Sequence, residues 1–271
     1  RFLTKQGTEW FGYTYLWNDA GTDAELIPSG GMDKEFTVKT AAGERKQVWH
    51  YPSRSECMVC HSRAANFVLG LSEEQMNKDH DYGSCTSNQL RELEHLGLLK
   101  YDTIGESRTA IRARGEAKKL SGKELDEYIA VHSQQPNQRK AKESGLLHQS
   151  PTSFRKLVDP YDAKQDLTAR AKSWLHANCS SCHVEAGGGN AAMELEFATA
   201  LDKMRIVDVP PLHKTFDLPD AKLVVPGKPD SSVLLARMSR RGPHQMPPLA
   251  SNRVDERGVA LIREWIASLK K

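Results

Sequence analysis

The spacing of apolar and polar positions changes along this chain of 271 residues, and the changes mark its parts. Near the start the period is two. Phe11, Tyr13, Tyr15 and Trp17 alternate with smaller or polar residues, and Asn18-Asp19-Ala20-Gly21 closes the run as a turn, so a strand is predicted. Glu35 to Lys39 and Gln47 to Tyr51 read as the arms of a hairpin of the longer-loop kind around Ala41-Ala42-Gly43-Glu44. Beyond Pro52 the period turns helical. Ser72-Glu73-Glu74-Gln75 matches a capping box, and Leu90, Leu93 and Leu96 keep helical spacing until Gly97, a C-terminal stop. From Thr103 to Gln138 the chain is dense in Arg, Lys and Glu, with Leu120, Leu125, Tyr128, Ile129 and Val131 as its larger apolar positions; one solvated helical insertion, or a pair, is expected there.

The last third has the clearest helical logic. Leu167, Ala171, Trp174 and Leu175 share one face of a helix that runs into Cys179, and Gly187-Gly188-Gly189 follows as a flexible run. A short helix begun near Ser231 carries Val233, Leu234, Ala236 and Met238. Asp255-Glu256 then opens an amphipathic helix through Val259, Leu261, Ile262, Trp265, Ile266 and Leu269, its acidic residues favourably placed in the first turn. The expected organisation is a β-rich N-terminal segment over 1–55, a first unit with the charged helical insertion over 56–150, and a C-terminal unit over 151–271. A chain of this length is expected to make two compact units.

Four of the five cysteines fall in two Cys-x-x-Cys-His pentapeptides, Cys57-Met58-Val59-Cys60-His61 and Cys179-Ser180-Ser181-Cys182-His183. That pattern attaches c-type haem: the two thiols add to the porphyrin vinyl groups as thioethers, and the histidine after the second cysteine becomes the proximal iron ligand. Such pairs also occur as halves of a zinc site or as thiol redox pairs. Neither alternative requires a histidine next in line in both copies, so two covalently attached haems are expected. The fold class that follows is mainly α, with two cytochrome c-like haem units and a small β-rich N-terminal segment. Cys85 is left over and reads as a small unpaired side chain in a loop.

Each iron then needs a distal ligand. For the second motif the candidates are Met193, Met204, His213, Met238, His244 and Met246. Met246 leads, because Gln245-Met246-Pro247-Pro248 sets a thioether on a stretch whose prolines restrict the backbone. A thioether ligand favours ferrous iron and raises the reduction potential, which would draw electrons from the first haem to the second if the first lacks a methionine ligand. For the first motif His50, Met76, His80, His95 and His132 are all candidates that position in sequence does not rank, His50 standing just upstream on a strand and Met76 and His80 at distances compatible with a returning helix, and an open iron position is the remaining alternative.

Composition changes this picture little. Hydrophobic residues make up 38% of the chain, so haem is expected to supply part of each core and the haem-free chain to fold poorly. A formal charge of +3 gives no argument for a nucleic-acid partner. No run of about 18 apolar residues occurs, so no membrane-spanning segment is predicted. The chain begins Arg1-Phe2-Leu3-Thr4 without an apolar leader. Because bacteria attach c-type haem outside the cytoplasm, a leader, and more, is expected upstream, and the location is expected to be periplasmic or extracellular.

Val224 to Ser231, Arg240 to Pro248 and Asp255 to Ile266 resemble the C-terminal cytochrome c domain of a bacterial dihaem c-type cytochrome family. Phe11 to Asp19, Trp49 to His61 and Asn66 to Leu71 are similar to the N-terminal half of the same family, while the charged insertion departs from its shorter linker. In that family such modules stand alone or are fused to sugar-dehydrogenase-like propellers that use a quinone. The resemblance therefore implies electron transfer beside a dehydrogenase, with redox proteins as partners. Two other functions compete. A dihaem peroxidase-like enzyme also carries two such motifs in one chain, and its peroxidatic haem would be the N-terminal one. A carbohydrate-binding redox module would use Phe11, Tyr13, Tyr15 and Trp17 as a contact face, although aromatics on one strand face more often enter a core.

Overall fold

A computed structural model describes residues 1–65, 67–101, 108–130, 146–147 and 155–270. It divides the chain into one unit formed by Arg1–Gly70 together with Val158–Lys271, and a second formed by Leu71–Leu157. The lines are drawn elsewhere than at 55/56 and 150/151, and both Cys-x-x-Cys-His motifs fall in the first unit.

That unit begins as a series of two-stranded antiparallel ribbons. β1 (Phe2–Gln6) pairs with β2 (Glu9–Tyr13), β3 (Tyr15–Trp17) with β4 (Ala24–Leu26), and β5 (Met32–Thr40) with β6 (Gly43–Tyr51). The long hairpin turns on two residues, Ala41 and Ala42, with Thr40 opposite Gly43, so its loop is shorter than the sequence suggests. Gly43 at φ 113° and a hydrogen bond from the Thr40 hydroxyl to the Gly43 carbonyl (2.8 Å) make the tight turn possible. The predicted alternation is present at the start, but its buried side is the small one. Gly12 and Thr14 are buried while Trp17 is 61% exposed. A Cβ on Gly12 would lie 2.7 Å from the Cβ of Cys57, so a bulky inward residue would displace the first motif. The aromatics make other contacts instead: Trp10 stacks on Phe67, Phe2 meets Tyr15 edge-on, and Arg54 lies over Tyr13.

α1 (Arg54–Cys60) follows β6 at once. Val158–Lys271 adds α6 (Leu167–Cys179), α7 (Val233–Met238) and α8 (Glu256–Ser268), with irregular chain and two short 3₁₀ turns before α7 and an irregular loop before α8. The unit's hydrophobic core lies here. Trp174 and Leu175 of α6 pack with Ile262, Trp265 and Ile266 of α8, and with Leu195, Ile206 and Val224 from the intervening chain. Asp255 joins the two long helices. It caps α8 by accepting from the Gly258 N–H (3.0 Å), and its other oxygen accepts from Trp174 Nε1 (2.8 Å) and the Tyr161 hydroxyl (2.5 Å).

The second unit carries α2 (Glu73–Met76), capped by Ser72 as the sequence predicts, then β7 (Asp79–Asp81) paired with β8 (Thr86–Asn88), and α3 (Gln89–His95). Gly97, at φ 72°, stops α3 where expected. β9 (Lys100–Tyr101) pairs in parallel with β10 (Leu146–Leu147). The charged insertion holds α4 (Arg108–Ala117) and a helix, α5, through residues 122–130, so it is a pair rather than a single helix. Leu125 and Ile129 pack with Leu120 and Tyr128, and a Cβ on Gly115 would meet Leu125 Cδ1 at 2.5 Å, so α4 needs glycine where α5 approaches. The part of the insertion beyond residue 130, with Val131 and His132, lies outside the described residues.

The expected mainly α class is overturned. Helix accounts for 30% of the structure and strand for 19%, the sheets being small and mostly antiparallel. The first fifty residues contribute strands alone, and α1, α2, α3 and α7 are stopped after four to seven residues. The fold is mixed, with its longer helices confined to the C-terminal part of the first unit.

Candidate cofactor site

The two motifs close in the same way. In α1 the His61 N–H donates to the Cys57 carbonyl (3.0 Å), and beyond α6 the His183 N–H donates to the Cys179 carbonyl (2.9 Å). Each pentapeptide is thus one helical turn, which brings residues three and four apart to the same side and gathers two thiols and an imidazole. α1 begins in a complete capping box. The Ser53 hydroxyl accepts from the Glu56 N–H (3.1 Å), and the Glu56 carboxylate accepts from the Ser53 N–H (2.8 Å). Those bonds hold the Glu56 carboxyl below its ordinary value, against the opposing effect of burial.

Around the second motif lies a cavity of about 790 Å³, within the range of about 300–1,000 Å³ usual for ligand pockets. Cys179, Cys182 and His183 line it, and so do Met193, Met238 and Met246. His213 and His244 reach its rim as exposed side chains, whereas Met204 is fully buried in the hydrophobic core and does not line it. His183 is 8% exposed, and its buried Nδ1 has no hydrogen-bond partner among the described residues. Burial holds its pKa below the ordinary value, so the ring is neutral and able to ligate near neutral pH. A Cβ on Gly189 would lie 2.6 Å from that Nδ1, and one on Gly187 would collide with the Cys182 carbonyl. The glycine run that reads as flexible in the sequence is required by close approach to the motif.

Met246 is half-buried on the loop between α7 and α8. Its N–H donates to the Arg237 carbonyl (3.0 Å), which ties the loop to α7. Gln245 holds the rest: its amide donates to the carbonyls of Pro247 (2.9 Å) and Ser251 (3.0 Å), and its oxygen accepts from the Gly242 N–H (2.8 Å). Met238, 3% exposed on α7, belongs to the core as well as to the cavity wall. Arg237 also lines the cavity. It donates to the His244 carbonyl (3.2 Å), lies over the Phe216 ring and forms no ion pair among the described residues, so its charge has no protein counter-ion on that wall. Burial first, and then the neighbouring Arg240 charge, lower its pKa.

At the first motif His61 Nδ1 lies 2.6 Å from the Phe67 carbonyl, which the left-handed backbone of Phe67 (φ 59°) turns toward the ring. An Nδ1–H donated to a backbone carbonyl leaves Nε2 as the free ligand atom, the usual orientation of a metal-binding imidazole. The distal candidates are scattered. His50 stands on β6 between two carboxylates, Nδ1 at 2.6 Å from Asp33 and Nε2 at 3.2 Å from Glu56, so both ring nitrogens are engaged. Asp33 foremost raises its pKa. Met76, His80 and His95 belong to the second unit; His80 meets Tyr82 edge-on, and His95 ends α3. His132 falls outside the described residues. Cys85 is exposed in the second unit.

The motifs also meet each other. Cys60 Sγ and Cys182 Sγ are 3.1 Å apart, and the Val59 carbonyl and Cys60 help to line the cavity of the second motif. The hydrogen bond between the two sulfurs draws Cys182 down to about 7 and pushes Cys60 up. Burial pushes Cys179 up to about 12. No set of three His, Cys, Asp or Glu side chains among the described residues is arranged to hold a metal ion alone, as a zinc site would be.

The residues suit haem at the second motif. Two thiols and a neutral imidazole share a cavity of adequate size with a methionine on a braced loop, and the apolar wall suits a flat apolar disc. The first motif supplies the same donor set with its imidazole already oriented. The sequence does not single out Glu56 or Arg237, and it offers Gln245 only as a neighbour of Met246 and the glycine run only as flexible chain. Ser53-x-x-Glu56 just before the first motif was the one signal that could have revealed any of them. Comparison with family models, with curated proteins and with solved structures finds no match to this chain.

Proposed function

We propose that the chain is a dihaem c-type cytochrome that transfers electrons outside the bacterial cytoplasm, accepting them from a dehydrogenase and passing them to another carrier. The observation that carries this reading is the cavity holding Cys179, Cys182 and His183 together with Met246. When bound, the group supplies a one-electron iron couple. Cys179 and Cys182 would hold it by thioethers, and Cys57 and Cys60 would do the same at the first motif. His183 and His61 would each supply an imidazole to iron, with the Phe67 carbonyl fixing the His61 ring. Met246 would supply a thioether to the second iron, which would favour the ferrous state. Gln245 is a positioning residue that keeps the loop in place, and Arg237 offers a cation to carboxylates at the edge of the group.

With both groups bound, the Met246 thioether would give the second the higher potential if the first lacks a methionine ligand, and the electron source suggested by the family resemblance is a quinone-dependent sugar dehydrogenase. Among the described residues no helix is long and apolar enough to cross a membrane. Replacing Met246 tests the assignment. Met246→Ala is expected to keep both haems attached, to turn one from low spin to high spin or to a substitute ligand, and to lower its potential. An unchanged spectrum and potential would remove Met246.

One observation favours the peroxidase-like alternative. The histidine nearest the first motif in its own unit, His50, is held by Asp33 and Glu56, which leaves the distal side of that iron without an assigned ligand. Robust turnover of hydrogen peroxide with a ferrous donor would promote that reading. Absence of turnover, with both haems low spin and indifferent to cyanide, would remove it.

A further inference from the structure

We infer that Cys60 and Cys182 are a disulfide site of the haem-free chain: a small-molecule disulfide such as oxidised glutathione joins them, and a dithiol parts them again. The cross-link belongs to the chain's own thiols, and only its consequence for cofactor attachment rests on the dihaem reading above. Cys60 Sγ and Cys182 Sγ are 3.1 Å apart in a thiol hydrogen bond, although 122 positions separate the two residues in the sequence. Two thioethers could not keep that contact, so it marks the chain before attachment. Little movement separates it from a covalent bond, which is about 2 Å long.

The backbone brings the two sulfurs together. A Cβ on Gly188 would collide with the Val59 carbonyl, so the glycine run after Cys182 lies directly on the turn that contains Cys60. Cys182 Sγ also lies 4.0 Å from that carbonyl. The other thiols of the motifs are turned elsewhere. A Cβ on Gly12 would lie 2.9 Å from Cys57 Sγ, which places that sulfur against β2, and Cys179 packs on the hydrophobic core. Cys60 and Cys182 are partly exposed and both line the cavity, so a dissolved reagent can reach them. The segments they would join, Arg1–Gly70 and Val158–Lys271, belong to one compact unit.

The exchange balances. One cysteine thiolate attacks the glutathione disulfide and expels one glutathione thiolate; the second cysteine then attacks the mixed disulfide and expels the other. The Cys60–Cys182 bond forms, the glutathione disulfide bond breaks, two electrons pass to glutathione, and the two cysteine protons end on its two thiols. The product lacks one free thiol in each motif, so neither motif can form both of its thioethers until the bond is reduced. Oxidation at this one site therefore blocks attachment at both motifs.

Mass spectrometry of the full chain, produced without haem attachment and carrying Cys85→Ser so that the exposed fifth thiol takes no part, tests the site. After treatment with oxidised glutathione in native buffer and blocking of the remaining thiols, digestion is expected to release peptides joined through Cys60 and Cys182 as the main cross-link. The same treatment in urea should instead favour Cys57–Cys60 and Cys179–Cys182, because short loops close most easily in an unfolded chain. Incubation with ferrous haem supplies the second readout: the cross-linked chain should take up about tenfold less covalent haem than the same sample reduced with dithiothreitol, since each motif then has both thiols. A native cross-link pattern identical to that in urea would overturn the site. A cross-linked chain that takes up haem as readily as the reduced one would overturn its effect on attachment. If the Cys60–Cys182 bond forms and neither sample takes up haem, the site stands, while the dihaem reading and the consequence drawn from it fall.

Discussion

Asp255 shows how much of the first unit rests on single side chains. Its carboxylate caps α8 and accepts from the half-buried Tyr161 and the buried Trp174, two donors that would lose their acceptor without it. Burial alone would raise its pKa, but the hydrogen bonds from Tyr161, Gly258 and Trp174 outweigh burial and hold it below the ordinary carboxylate value. Tyr161 moves the opposite way, raised by burial and by its bond to Asp255. A depressed carboxylate contributes stability that is fully present above its unfolded value, about 3.9, and is lost as the pH falls through the lower folded value. Asp255→Asn should cost about 1–3 kcal/mol near neutral pH, because one acceptor serving two donors is replaced by a weaker group. Urea unfolding at pH 7 and at pH 3 checks this: the gap between wild type and variant should narrow at the lower pH. An equal gap at both would mean that the charge of Asp255 is immaterial.

At the scale of elements, helices and capping were legible where the signal was local. The Ser72 cap of α2, the Gly97 stop of α3 and the apolar faces of α6 and α8 lie where the spacing places them. Tertiary contacts were not legible. Alternation at Phe11, Tyr13, Tyr15 and Trp17 identifies strands but not which side is inward. The side is decided by Cys57, which leaves room only for Gly12. The same kind of constraint reverses a helix-propensity expectation at Gly258. Alanine normally improves on glycine within a helix by about 1 kcal/mol. A Cβ on Gly258 would instead collide with Trp174 Nε1 and lie 2.6 Å from Asp255 Oδ2, breaking the link between α6 and α8. Gly258→Ala should therefore lower the melting temperature, and a variant more stable than wild type would contradict this packing.

For the whole molecule, the chain's most specific signal was chemical. The two pentapeptides stand out in the sequence, whereas their meeting in one unit does not, since 118 positions separate Cys60 from the start of the next motif at Cys179. Such long-range proximity depends on Arg1–Gly70 folding into one unit with Val158–Lys271, although Leu71–Leu157 lies between them in the sequence, and no local spacing encodes it. The mainly α expectation failed for a related reason. The helical spacing around the motifs is not typical of the whole, since the N-terminal ribbons contribute strand with little core of their own. Isolated two-stranded ribbons are marginal in water, so a large apolar cofactor at α1 would complete the burial that side chains there do not supply. The central claim is thus a number of cofactors. The measurement that tests it most directly is a pyridine haemochrome assay of the purified holoprotein, giving covalent haem per chain. The account predicts two, and a chain that folds with none after expression in a host able to attach c-type haem would contradict it.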